Sequence, residues 1–358
     1  MPQNKAFKKG VIMNRLNEHL LNKLIASNKG IHISAYIENM GVQKDVKLQL
    51  REAVDTATEI LEPVISETEL KRLLSPIERL ISDDRALKNL ASNFAVFRTF
   101  ETFRVLPIPT EIEQICVVSD SFHVKPLLSW VQADPEFLVF ALDKTSVSIY
   151  AGSDKNVDFI DHYKHNAYAG EPTRKDFRDC FDRLNEWLKH QNVSQSKKIF
   201  IASQEKLGSK QIACIDLPNV YLLNRNIGSN IKNIAEAARQ KMKELNEREL
   251  ERNLIDFNFA LAMEMTQNNI ADIAKYAVKG EVAKLIIARD VNVFGKVNRT
   301  SGKLTINPFQ LDHEDDDILD DLAQIVVQNG GKVITIDKDR IPGKRVAIAI
   351  RNQERKIG

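Results

Sequence analysis

The stretch EFLVFALDKTSVSIYAG, residues 136–152, constrains this chain more than any other segment. Two runs rich in β-branched and aromatic residues flank Asp143-Lys144-Thr145, and that pattern predicts an antiparallel hairpin. A polar segment, FIDHYKHNAYAGEPTRKDF, follows it. Beyond this, Phe177, Phe181, Leu184 and Leu188 recur at helical spacing, and KKIFIAS and NVYLLNR read as further strands. Strands interleaved with amphipathic helices predict an α/β fold.

The same alternation recurs on both sides. Toward the N-terminus, Val11, Leu16, Leu20, Leu21 and Leu24 predict a helix with Gly30 as its stop, and GIHISAYI predicts a strand. Val46, Leu50, Val54, Ala57, Ile60 and Leu61 predict a long helix over 44–62 that Pro63 ends. A second helix spans 67–81 and closes at Ser82-Asp83-Asp84, NFAVFRTF and TFRVLPI form two strands around Glu101, and Pro107 and Pro109 make a linker. Toward the C-terminus, residues 231–252 read as a charged helix, a solvated rod with i,i+4 pairs Lys243 with Glu247 and Glu244 with Arg248. After it come a helix over 271–278, the strands AKLIIARDVNVFGKV and KLTINP, a helix over 315–328, a stop at Gly330-Gly331, and the strands KVITID and RVAIAI. At roughly 100 to 200 residues per domain, 358 residues make two or three domains, and the order of elements divides them as 1–109, 110–253 and 254–358.

Charge and composition exclude several classes. Lys and Arg total 51 against 49 Asp and Glu, so the formal charge of +2 lacks the uniform excess that sustains non-specific nucleic-acid binding, and any RNA contact must come from local patches. Apolar runs such as EFLVFAL and AKLIIA are far shorter than the roughly 18 to 20 residues that span a bilayer, and MPQNKAFKKG lacks a signal-peptide core. The expectation is a cytoplasmic protein with no membrane partner. Cys116, Cys180 and Cys214 are widely spaced, which argues against both a disulfide framework and a structural zinc site.

Read in order, HISAYIENMG, VKLQLREAVDTATEIL, NFAVFRTF, SDSFHVKPLLSWV, the 136–152 hairpin, IADIAKYAVKGEVAKLIIARD and DDILDDLAQIVVQNGGKVITIDKDRIPGKRVAIAIR resemble the archaeo-eukaryotic class I peptide-release factor and Pelota superfamily, in particular its bacterial members. The similarity covers nearly the whole chain. It implies a mixed α/β N-terminal domain that faces the decoding centre, a ribonuclease-H-like middle domain, and a C-terminal α/β sandwich that meets a translational GTPase or another ribosomal partner. The partners it implies are the ribosome, through rRNA and tRNA, and not DNA. Two family signatures are missing. Thr58-Glu59-Ile60-Leu61 stands where stop-codon readers carry asparagine-isoleucine-lysine-serine, and CVVSDSF replaces the tyrosine-cysteine decoding motif. The glycine-glycine-glutamine loop that such factors use for hydrolysis is also absent, since the corresponding segment has no glutamine and one glycine, Gly170. The expected function is therefore a non-hydrolytic ribosome-associated factor for rescue, hibernation or stress protection. The alternatives are a peptidyl-tRNA hydrolase or tRNA nuclease that uses His162 or His165 for proton transfer, and a protein-interaction scaffold or secreted effector.

His162, Tyr163, Lys164, His165, Tyr168, Arg174, Lys175 and Arg178 interleave cations with rings, so they can pair with phosphates and stack on bases. The bland alternative for this segment is a solvated loop. Lys5, Lys8 and Lys9 form a basic arm that could meet rRNA phosphates, but a disordered terminus is the preferred reading. No cofactor and no metal is expected: His162 and His165 have no third ligand nearby, and the run Asp312-His313-Glu314-Asp315-Asp316-Asp317 lacks the spacing of a calcium loop. Acidic residues ahead of a helix complement the positive end of its dipole. His123 reads as a packing or hydrogen-bonding histidine.

Overall fold

The computed structural model describes residues 18–90, 92–108, 111–133, 136–143, 146–153, 156–164, 174–191, 193, 197–203, 215, 218–223, 230–307 and 315–352. The fold is mixed α/β, and the chain divides into two compact units, 1–132 with 253–358, and 133–252.

In the first part of the first unit, α1 (Glu18–Ile25) precedes β1 (His32–Ile37), α2 (Gln43–Leu61), α3 (Glu67–Ser82), α4 (Asp84–Asn89), β2 (Asn93–Arg98), β3 (Phe103–Ile108), β4 (Ile115–Ser119) and α5 (Lys125–Ala133). The helix expected to run to Gly30 stops at Ile25. Gly30 instead takes φ +84° in the turn into β1, where its carbonyl lies 3.0 Å from His32 Nδ1. The sheet order is β3-β2-β1-β4, antiparallel throughout. Pro107, expected in a linker, lies instead in the edge strand β3 opposite Phe94, Pro109 lies outside the described residues, and β4 pairs with β1. Alternation along β1 sends Ile33, Ala35 and Ile37 to a core shared with Leu50, Ala57 and Leu61 of α2 and Leu73 and Ile77 of α3. The same alternation sends His32, Ser34 and Tyr36 to the opposite face, and all three are buried there as well. A capping box starts α3, with Ser66 Oγ accepting from the Glu69 amide and the Glu69 carboxylate from the Ser66 amide.

The second unit is built on β5 (Phe137–Leu142), β6 (Ser146–Gly152), β7 (Val157–Lys164), α6 (Arg174–His190), β8 (Lys198–Ser203), β9 (Val220–Leu222) and α7 (Ile231–Ala262), the last lying in this unit as far as Arg252. The expected hairpin pairs Leu142 with Val147 and Phe137 with Gly152. The sheet order is β7-β6-β5-β8-β9. Strands β5, β6 and β7 form an antiparallel meander, whereas β8 is parallel to β5 and β9 to β8. This is the order and polarity that a ribonuclease-H-like sheet requires. Phe181, Leu184, Trp187 and Leu188 of α6 cover one face, and Ile234, Ala238 and Met242 of α7 pack against Phe137, Val139 and Phe200 on the other. The start of α7 is therefore not a solvated rod. Its apolar positions recur at four-residue steps and form a narrow stripe among many charges. Of the two expected ion pairs, Glu244 with Arg248 is formed at 2.5 Å.

The first unit resumes with β10 (Thr266–Gln267), α8 (Ile270–Val278), β11 (Val282–Ala288), β12 (Phe294–Val297), β13 (Leu304–Ile306), β14 (Asp316–Asp317), α9 (Ile318–Gln328), β15 (Lys332–Ile336) and β16 (Ala347–Arg351). One sheet runs β10-β16-β11-β15, with β11 and β15 parallel, and a smaller one runs β13-β12-β14. Leu285, Ile286 and Ile287 of β11 are fully buried. The double glycine ends α9 as expected: Gly330 takes φ +79°, and a Cβ on Gly331 would lie 2.6 Å from the Val282 carbonyl oxygen.

Candidate functional site

Two sets of side chains have chemical potential, one in each unit. In the second unit, His162, Tyr163 and Lys164 end β7, the edge strand of the sheet. His162 and Lys164 are exposed, while Tyr163 is half-buried against the α6 side of the core. His162 Nδ1 lies 3.1 Å from Ser148 Oγ, its cross-strand neighbour. Arg183 Nη1 donates to the Lys164 carbonyl at 3.2 Å and so ties α6 to the end of β7. Arg174, Lys175 and Arg178 lie in the first turns of α6. His165 and Tyr168, like Lys5, Lys8 and Lys9, lie outside the described residues.

In the first unit, the buried polar face of β1 meets residues 119–125 and the start of α9. Tyr36 Oη donates to the His123 carbonyl at 2.7 Å, and the His123 amide donates to Ser34 Oγ at 3.0 Å. These contacts fix the backbone of His123 beneath the sheet. Asp316 Oδ2 accepts from Ser119 Oγ at 2.9 Å and from Ser121 Oγ at 3.4 Å, while its Oδ1 accepts from the Asp317 amide at 2.6 Å. The Asp320 carboxylate accepts from the Val124 amide at 3.1 Å and from Gln324 Nε2 at 2.8 Å. Gln324 Nε2 also donates to the Phe122 carbonyl at 2.8 Å. Lys125 Nζ bonds Asp317 Oδ2, the Val291 carbonyl at 2.8 Å and Asn292 Oδ1 at 2.7 Å. Arg299 Nη2 bonds Asp321 Oδ1 at 2.5 Å. Amid this network His123 Nδ1 makes no hydrogen bond, although it faces Asp320 Oδ2 at 3.7 Å and Asp316 Oδ1 at 3.8 Å.

Electrostatics here follow from burial. Burial disfavours a charged His123 ring, but the carboxylates of Asp320, Asp316 and Asp317 outweigh it and raise its pKa. Burial raises Asp320 to about 6, helped by Asp316 and Asp317 and opposed by His123. Asp321 is raised as well, by burial first and then by Asp316, against the pull of Arg299. Asp316 is also desolvated, yet His123 and the donors from Asp317 and Ser119 hold it below the usual carboxylate range. The compartment is short of positive charge.

The acidic run before α9 therefore does more than complement a dipole. Asp317 caps the helix by accepting from the Leu319 amide, as that reading requires, but Asp316, Asp320 and Asp321 are buried among ionisable partners. Sequence reasoning passed over Lys125, Arg299, Asp320, Asp321 and Gln324. A signal was present: in DDILDDLAQIVVQ, the polar residues 317, 320, 321 and 324 fall on one face of an otherwise apolar helix, the mark of a buried polar stripe.

No family model and no curated protein matches this chain. Among solved structures it is similar to the archaeal translation termination factor aRF1, at 13% identity over 93% of this chain and 96% of that one, with a TM-score of 0.24. It is also similar to a model of ribosome-bound archaeal Pelota and ABCE1, at 12% identity over 70% and 72%, with a TM-score of 0.44. The third is Dom34 of S. cerevisiae, described as a translation termination-like factor, at 11% identity over 75% and 76%, with a TM-score of 0.42. Among the described residues, no helix is long and apolar enough to cross a membrane.

Proposed function

We propose that this chain is a non-hydrolytic ribosome-associated factor of the release-factor and Pelota kind, which docks in or near the A site for rescue, hibernation or stress protection. Its three domains would be 1–109, 110–253 and 254–358. The motif order along the sequence supports this reading, and the absence of a glycine-glycine-glutamine loop sets aside the family's usual hydrolysis.

One observation carries the RNA-contact part. Arg183, in the middle of α6, holds the Lys164 carbonyl at the end of β7, so strand and helix are tied together on either side of the sequence segment 165–173. Its cations and rings would contact rRNA or tRNA phosphates and unpaired bases. Affinity would be the sum of modest contacts spread over linked domains.

Co-sedimentation with purified ribosomes tests the reading. The protein should pellet with ribosomes at low salt. Changing Lys164, Arg174, Lys175 and Arg178 together to alanine should weaken binding and flatten its salt dependence by a log–log slope of about 3, at roughly 0.7 per single-strand phosphate contact. No enrichment at low salt refutes the function, whereas equal binding by the fourfold variant moves the RNA-facing surface elsewhere.

A further inference from the structure

We propose that His123 Nδ1, Asp316 Oδ1 and Asp320 Oδ2 form a buried site for one divalent ion of the zinc class, which clasps residues 119–125 to helix α9. The three donor atoms all lie within 4.8 Å of one another, and all three residues are buried. Neither the function proposed above nor the resemblance that supports it enters this inference.

His123 Nδ1 is buried, makes no hydrogen bond, and points between two carboxylates at 3.7 and 3.8 Å. That separation is too long for a direct hydrogen bond. It suits two donors on one ion: at zinc–ligand distances of about 2.1 Å, the separation corresponds to an angle of roughly 125° at the metal. Drawing each carboxylate toward the ring nitrogen by a few tenths of an ångström would bring the two imidazole–metal–carboxylate angles toward tetrahedral, and the two carboxylate oxygens must then lie within about 4.2 Å of each other.

Both carboxylates and the histidine backbone are held by neighbours: Ser119 and Ser121 donate to Asp316 Oδ2 and the Asp317 amide to its Oδ1, the Val124 amide and Gln324 Nε2 donate to the Asp320 carboxylate, including its Oδ2, and Tyr36 and Ser34 bond the His123 backbone. Outer-shell hydrogen bonds orient metal ligands.

Asp316, Asp317, Asp320 and Asp321 are four of the buried aspartates, and among the described residues their salt bridges to permanent cations are those of Lys125 and Arg299. With a neutral imidazole, four carboxylates against two cations leave two negative charges, which one divalent ion balances. The ligand chemistry selects among ions, because an imidazole with two carboxylates suits zinc and its neighbours better than magnesium or calcium. The enclosed position points to a structural role, not a catalytic one. Without metal, the same balance requires protons on the imidazole and on one carboxyl group, and this is the competing state that the experiment separates.

The full-length chain is unfolded with a chelator present, refolded with or without excess Zn²⁺, desalted, and analysed for metal by mass spectrometry. We expect about one zinc retained per chain, a higher Tm than the metal-free protein, and a visible d–d absorption when Co²⁺ replaces zinc. Asp320→Asn and His123→Gln should retain less than about a tenth of the wild-type zinc. Wild-type protein that refolds to a native circular dichroism spectrum without retaining zinc overturns the proposal, as does equal retention by both variants. Because the wild-type stoichiometry is decisive alone, variants that fail to fold leave the proposal fully exposed to refutation.

Discussion

Proline 76 sits inside α3, where its missing amide cannot donate to the Arg72 carbonyl one turn earlier. Arg98, at the end of β2, supplies the replacement. Its Nη2 donates to the Arg72 carbonyl at 3.0 Å, its Nε to the Leu73 carbonyl at 2.7 Å, and its Nη1 to the Thr102 carbonyl at 3.1 Å. Ser75 Oγ reaches the Arg72 carbonyl at only 3.5 Å, so Arg98 is its stronger donor. Arg98→Met keeps the aliphatic stem and removes all three bonds. A buried hydrogen bond to a charged group contributes about 1.5 to 3 kcal/mol, and the two partly buried ones contribute less because water can replace the donor. Relief of guanidinium desolvation offsets about 1 kcal/mol, which leaves an expected loss of about 2 to 3 kcal/mol. Pro76→Ala restores an amide to the Arg72 carbonyl, so Arg98→Met should cost about 1 kcal/mol less in that background. Urea unfolding of the four proteins, followed by Trp130 fluorescence in a Trp187→Phe background, isolates the first unit and supplies the double-mutant cycle. A cost below about 0.5 kcal/mol for Arg98→Met, or a coupling within about 0.3 kcal/mol of zero, refutes the argument.

Lys125→Met should destabilise the first unit by about 3 to 5 kcal/mol, because it leaves the Asp317 carboxylate and the Val291 carbonyl buried without their cation. Adding Asp317→Asn keeps the acceptor oxygen that caps α9 and should recover at least about 1 kcal/mol; a double variant weaker than the single one contradicts this. Burial pushes the Cys116 thiol up to about 12, so alkylation at pH 8 should be at least about tenfold slower in the native protein than after unfolding. Peptide mass spectrometry after timed iodoacetamide treatment reads the rate at that residue, and equal rates would contradict the packing of β4.

Much of the fold was legible in local pattern. The 136–152 hairpin, the strands around Glu101, the helix over 67–81 and the glycine stop after α9 follow from turn chemistry and side-chain period, which act over a few residues. Periodicity also placed His32, Ser34 and Tyr36 on one face of β1, but it could not show that this face is covered. Nor could it show that the segment after Pro109 returns to pair with β1, or that the first turns of α7 rest on a sheet, because pairing and burial depend on residues far away in sequence. The buried site shows the difference most clearly. Asp316, just ahead of α9, stands about 195 residues beyond the serines it bonds, and read locally it belongs only to an acidic helix start. Charge acquires a specific partner and a shifted pKa only when folding removes water from around it, and that removal was decided by the tertiary structure.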